Sequence, residues 1–78
     1  MSNTDEFWMW TIYERPRDFP ALYVARLWRL RRGADNPVAA LETLTAPTLD
    51  ELRDQLPPGL YRVPRNACDD PVIVETWL

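Results

Sequence analysis

The chain has 78 residues with nine basic and twelve acidic side chains, which gives a formal charge of −3. Every basic residue is Arg, and the sequence contains no His and no Lys. These absences exclude the side chains that most often act as general base or form Schiff bases. A chain this short forms one domain and buries only about 60% of its unfolded surface, so a deep substrate cleft is not expected. We therefore predict one domain over residues 1–78, no enzymatic activity, and no cofactor or metal.

The amino-terminal segment and the single cysteine indicate the compartment. Residues 1–6 are polar and acidic, whereas a signal peptide begins with basic residues, and we expect this segment to be disordered. The apolar runs are far shorter than the roughly 20 residues needed to cross a bilayer. Cys68 has no second cysteine with which to form an internal disulfide, which is typical of a reducing compartment. The sequence therefore predicts a soluble, cytoplasmic protein.

The first half of the chain predicts three strands. Residues 7–13 are rich in aromatic and β-branched side chains, and both faces of their alternating pattern are partly apolar, which is typical of a central strand. Residues 21–32 form the second predicted strand, which places Arg26 on one face and Arg29 on the other. A segment of turn composition follows, so we expect residues 38–45 to pair with the second strand as a hairpin.

The second half predicts one short helix and two further strands. Thr48 followed three residues later by Glu51 matches the capping box, and Pro-Pro-Gly at residues 57–59 ends the helix. Residues 60–63 and 72–78 are the last two predicted strands. The fold class is therefore α+β: a mostly antiparallel sheet of about five strands, ordered β-β-β-α-β-β, with one helix on one face. Three leucines recur at helical spacing and are expected to pack on the sheet: Leu49, Leu52 and Leu56.

Several aromatic, proline and acidic stretches occur together in the chain. They are WTIY (10–13), DFP (18–20), VAR (24–26), LPPGLYR (56–62), DDP (69–71) and IVE (73–75), with Pro16, Pro64, Arg65 and Trp77. This set resembles a group of short proteins of unknown function from proteobacteria and their prophages. The resemblance implies a self-contained domain in a bacterial or phage context, and it implies no catalytic or binding residue. The Arg-only usage agrees, since it is typical of GC-rich genes.

The acidic residues are concentrated in the second half of the chain. Residues 1–39 hold six Arg and five acids, and residues 40–78 hold three Arg and seven acids, so the net charges are +1 and −4. If the acids of the helix and of the following loop converge, they form a patch that suits a basic surface of a nucleic-acid-handling complex. The alternative for each is a helix cap or a turn former. The residues are Asp50, Glu51, Asp54, Asp69 and Asp70.

The function predicted from size, charge and the prophage resemblance is a non-enzymatic, protein-binding inhibitor. Such an inhibitor, of the anti-CRISPR type, would be carried by a phage or mobile element and would occupy the basic surface in place of nucleic acid. A bacterial accessory protein or a homodimer of unknown role is an alternative.

A basic run on the second strand supports an alternative of another class, a small module for RNA or single-stranded DNA. Its guanidinium groups would contact phosphates while an aromatic ring stacks on a base. The negative charge of the whole chain makes direct nucleic-acid binding unexpected, and an edge or solvent-facing strand that uses Arg to prevent pairing explains the same run. The residues are Arg26, Trp28, Arg29 and Arg31.

A group of acids, the single cysteine and the aromatic side chains are further candidate features. Asp69 and Asp70, with Asp18 or Glu14, suit a hard cation, but they lack the spacing of a calcium loop. Cys68 has no His to act as its base and no second Cys to react with, so we expect it to have no chemical role. The nine aromatic side chains exceed what the inner face of a one-helix core needs, so some are expected to be exposed. The uncovered sheet face would then be a binding surface or a homodimer interface, and the alternative is that the loops fold back over these side chains. The candidates are Trp8, Tyr13, Phe19 and Tyr61.

Overall fold

A computed structural model describes residues 6–31, 38–65 and 70–78 of the chain. The element order confirms the prediction of β-β-β-α-β-β and the α+β class. Glu6 already belongs to the first strand, so the predicted disorder does not include it. The rest of that segment, the predicted turn at 33–37, Cys68 and Asp69 lie outside the described residues. The elements are β1 (Glu6–Glu14), β2 (Tyr23–Arg31), β3 (Val38–Ala46), α1 (Leu49–Asp54), β4 (Arg62–Pro64) and β5 (Ile73–Trp77).

The five strands form one antiparallel sheet in the order β3-β2-β1-β5-β4. The predicted central position of β1 and the predicted hairpin of β2 with β3 are both confirmed. The basic strand β2 lies between β3 and β1, so it is not an edge strand. Pairing on both sides also explains why both faces of β1 carry apolar side chains.

The hydrophobic core lies between the sheet and α1. Ile12 of β1 is paired with Ala25 of β2, which is paired with Leu44 of β3, so these three side chains share one face of the sheet. Leu52 of α1 packs on this face and is fully buried, which stabilises the fold by about 1.5–3 kcal/mol. Trp10, on the same face, is also buried. We call this face of the sheet, with α1, the helix side.

Helix α1 has six residues, which is too short to be stable alone. Its start matches the predicted capping box in part: Thr48 is extended, and its Oγ1 accepts a hydrogen bond from the Glu51 N–H at 3.2 Å. The Glu51 side chain returns to the Thr48 hydroxyl at 2.9 Å, whereas in the standard box it reaches the backbone. Leu49 and Leu56 are half-buried beside the core, which confirms that the leucines pack on the sheet.

Both edges of the sheet carry features that hinder further pairing. Edge strand β4 has only three residues and ends at Pro64, and short, proline-containing edges pair poorly. Before it, Tyr61 and Leu78 exchange two backbone hydrogen bonds at 2.8 and 3.0 Å. On the other edge, the Thr45 carbonyl accepts a hydrogen bond from Gln55 Nε2 at 2.9 Å. This contact ties the end of α1 to β3.

The connection between β1 and β2 contains a tight turn next to the face opposite α1. The Phe19 N–H donates to the Pro16 carbonyl at 2.9 Å, and the Leu22 N–H donates to the Phe19 carbonyl at 3.2 Å. Pro16 is buried and Phe19 is half-buried. Arg15 has a φ of 47°, in the left-handed region that L-residues other than Asn and Asp rarely adopt. Among the described residues, no helix is long and apolar enough to span a membrane.

Candidate functional site

The sheet face opposite α1, which we call the open face, ends in an exposed apolar surface. Phe7 is paired with Leu30 across β1 and β2, and Trp28 is paired with Met9. The register Trp10↔Trp77 places the next residue, Leu78, beside Met9. These pairs lie side by side, because residues two positions apart on a strand share a face. Two further open-face residues extend the surface to the β4 edge: Tyr61 and Val63.

Four of these side chains are strongly exposed. The exposed fractions are 54% for Phe7, 82% for Tyr61, 49% for Leu78 and 40% for Val63. An aromatic side chain offers roughly 150–250 Å², so together the four leave on the order of 300–400 Å² of apolar surface in water. A patch of roughly this size is the largest that a typical monomer exposes, and such patches are often functional. We call these four side chains the apolar patch.

At the other end of the open face, side chains are buried and the charge of Arg26 is balanced by an ion pair. Val24 is fully buried and Thr11 is 5% exposed, although neither belongs to the core under α1. The Arg26 guanidinium lies 5.2 Å from the centre of the Tyr13 ring and forms an ion pair with Asp18. At the described strand positions of the open face, Arg26 is the one charged side chain, and Asp18 balances it.

The structure does not bring the predicted nucleic-acid residues onto one face. Arg26 and Trp28 lie on the open face, whereas Arg29 is paired with Trp8 on the helix side. Arg31 is paired with Glu6 in register, and its side chain is outside the described part of the structure. The alternation read from the sequence is therefore confirmed, and it separates the guanidinium groups instead of gathering them.

The predicted acidic residues fall into two groups. Asp50, Glu51 and Asp54 are exposed on α1, and the Asp50 carboxylate is 3.7 Å from Arg53 Nη1. Asp70 lies in the segment before β5, outside α1. The carboxylate of Asp70 accepts the Val72 N–H at 3.1 Å, as a turn-forming Asp does.

Of the four aromatic residues that the sequence predicts to be exposed, two are exposed and two are half-buried. Trp8 and Tyr61 are exposed, at 50% and 82%, which confirms the exposure of two of the four candidates, but of these two only Tyr61 lies on the open face. Tyr13 and Phe19 are half-buried, since Arg26 covers the Tyr13 ring and Phe19 takes part in the β1–β2 turn. Within the described ranges, no group of three or more Cys, Asp and Glu side chains is arranged to hold a metal ion.

A buried ion cluster, which the sequence analysis missed, joins α1, β4 and β5. Glu75 is 1% exposed, and its carboxylate accepts four hydrogen bonds. The Arg53 Nε and Nη2 donate to its two oxygens at 2.9 and 2.6 Å. Arg62 Nε donates at 3.2 Å, and Trp77 Nε1 donates at 2.7 Å. One acid in a strand whose other side chains are uncharged, on the same face as Trp77, is the sequence signal that could have revealed it.

The charges of this cluster stabilise one another. Burial alone raises the pKa of a carboxyl, because it penalises the charged form. At Glu75 the hydrogen bonds from Arg53 and Trp77, with the charges of Arg53 and Arg62, outweigh burial, and the pKa of Glu75 lies below its ordinary value. The hydrogen bond to Glu75 raises the pKa of Arg53. The cluster is therefore ionised at neutral pH, and its donors are used within the fold.

Comparisons with protein-family models, with curated proteins and with solved structures give no match for the chain. The resemblance to short proteobacterial and prophage proteins therefore stays a prediction.

Proposed function

We propose that the chain is a protein-binding domain whose interface is the apolar patch of the open face. The observation that carries this proposal is the exposure of Phe7, Tyr61 and Leu78 at one end of the sheet face opposite α1. Aromatic side chains are enriched at the centres of protein interfaces, where they bury a large area at a small cost in conformational entropy.

The charge of the open face favours a protein partner over nucleic acid. Nucleic-acid binding depends on guanidinium and ammonium groups that contact phosphates. The Arg26 guanidinium is already paired with Asp18, and Arg29 lies on the helix side beside Trp8. We therefore expect the chain not to bind oligonucleotides at low salt. Binding that is lost in Arg29→Ala would instead support the nucleic-acid alternative.

A more specific function, that of an anti-CRISPR-type inhibitor that occupies a basic surface, belongs to the same proposal. Its support is the exposed carboxylates of Asp50 and Asp54 on α1 and the net charge of −4 in residues 40–78. These groups lie on the helix side, so the inhibitor would use a different surface from the apolar patch. The double variant Asp50→Asn, Asp54→Asn tests the inhibitor. If the two carboxylates take the place of phosphate, this variant should no longer displace DNA from the nucleic-acid-handling complex that the wild-type chain binds.

Site-specific photocrosslinking tests the proposed interface. The photoreactive p-benzoylphenylalanine replaces Tyr61 in one variant and Trp8 in a matched control, since both residues are exposed aromatics but lie on opposite sides of the sheet. After irradiation in bacterial cells, we expect a covalent protein adduct at position 61 that is absent at position 8. The proposal fails if position 61 gives no adduct, or if position 8 gives the same adducts in equal yield.

A further inference from the structure

We infer that the occupant of the apolar patch is a second copy of this chain, packed sheet against sheet. The inference rests on the proposed function, because both need the open face to be an interface. A pair of identical chains related by a two-fold axis presents the same residues from both sides. The interface must therefore be compatible with itself in shape, polarity and charge.

The distribution of charge favours the open face for such a pair. The chain carries a net charge of −3, so any contact between two copies must keep the acids apart. On the described strands of the open face, the charge of Arg26 is balanced by Asp18. The helix side exposes the carboxylates of Asp50, Asp54 and Glu42. Packing through the open face leaves α1 on the outer side of each copy, where these carboxylates are farthest apart.

The edges of the sheet are less suitable for pairing two copies. Strand β4 offers three residues and ends in Pro64, which lacks the N–H needed for a ladder bond. On β3, the Gln55 side chain already uses the Thr45 carbonyl. Pairing of β3 with a second β3 would also bring the acidic helices together, because α1 packs over β3 and β2. The open face is therefore the surface best suited to self-association.

The available area corresponds to a dimer that dissociates on dilution. A specific interface needs about 1,000 Å² in total, or about 500 Å² from each copy. The four side chains of the apolar patch supply on the order of 300–400 Å² of this. The half-buried Met9, Trp28 and Leu30 extend the contact. The interface is thus near the lower limit of size, and we expect monomer and dimer to exchange.

Sedimentation velocity over a dilution series tests the inference. We expect the wild-type mass to rise to twice the chain mass at high concentration, and the variant Tyr61→Ser with Leu78→Ser to remain monomeric. Trp8→Ser is the matched control and should dimerise like the wild type, because Trp8 is an exposed aromatic on the helix side. Circular dichroism confirms that all three chains are folded. Added salt should strengthen the dimer, since it screens the repulsion between two acidic chains.

Two results would overturn the inference. One is a wild-type chain that stays monomeric at every concentration, and the other is equal loss of the dimer in Trp8→Ser. The photocrosslinks separate this failure from failure of the proposed function. A monomeric chain with an adduct to a different protein at position 61 keeps the protein-binding domain and excludes the second copy. A monomeric chain without any adduct at position 61 excludes both.

Discussion

The guanidinium of Arg53 and the carboxylate of Glu75 face each other through two hydrogen bonds, from Nε to Oε2 at 2.9 Å and from Nη2 to Oε1 at 2.6 Å. The two residues are 22 positions apart in the chain, and their contact joins α1 to β5. Because α1 has only six residues, its position depends on contacts of this kind and on the burial of Leu52.

Removing the Arg53 guanidinium should destabilise the fold more than removing that of Arg62. Arg53→Met leaves the buried Glu75 carboxylate without two of its four donors, and we expect the free energy of unfolding to fall by about 2–4 kcal/mol. Arg62 makes one bond at 3.2 Å from a side chain that is 49% exposed. We therefore expect Arg62→Met to cost about 1 kcal/mol or less. Urea unfolding of the two variants measures both losses, and equal losses would contradict the dominant role of Arg53.

The same cluster should make the free energy of unfolding depend on pH in the acidic range. The pKa of Glu75 is lowered in the fold, so its contribution is complete above the unfolded value of about 4.3 and is lost as the pH falls through the folded pKa. Glu75→Gln removes this contribution at every pH. Urea unfolding between neutral pH and strongly acidic pH should show a gap between wild type and Glu75→Gln that shrinks below about pH 4.3. A gap that stays constant into strong acid would show that the Glu75 charge does not matter.

The elements of the fold were predictable because they depend on local pattern. The alternation in β1 and β2, the Thr48 cap and the stop at residues 57–59 are set by neighbours within a few positions. The Glu75 cluster was not predictable in this way, since it joins residues 13 and 22 positions apart. The side chains that meet Glu75 depend on the position of β5 between β1 and β4 in the sheet.

The exposure of individual aromatics also required the topology. Trp8 and Trp10 lie two positions apart on the same face of β1, yet they are 50% and 6% exposed. The difference follows from the length of β5, which pairs with β1 only from Trp10 to Tyr13. Trp10 is therefore paired with Trp77 and packed beside α1, and Trp8 extends past the end of β5. Alternation alone assigns both residues to the same environment.

The Thr48 hydroxyl should contribute measurably to stability through the cap of α1. Thr48→Ala removes the acceptor of the Glu51 N–H, and we expect the free energy of unfolding to fall by about 1 kcal/mol. Thr48→Ser keeps a hydroxyl at the same place and should retain most of the stability. Thermal unfolding followed by circular dichroism compares the three chains. Equal losses in the Ala and Ser variants would mean that the methyl group, and not the hydrogen bond, matters.

The backbone of Arg15 offers a stabilising substitution outside the apolar patch. Its φ of 47° costs an L-residue about 1–2 kcal/mol, whereas glycine adopts this conformation freely. Arg15→Gly should therefore raise the free energy of unfolding by about 0.5–1 kcal/mol, after the extra entropy of glycine in the unfolded chain is subtracted. The control is Arg17→Gly, which should destabilise, because Arg17 lies in the same connection with an ordinary negative φ. Urea unfolding measures whether the free energy of unfolding rises or falls in each variant. A loss of stability in Arg15→Gly would show that the Arg15 side chain makes a compensating contact.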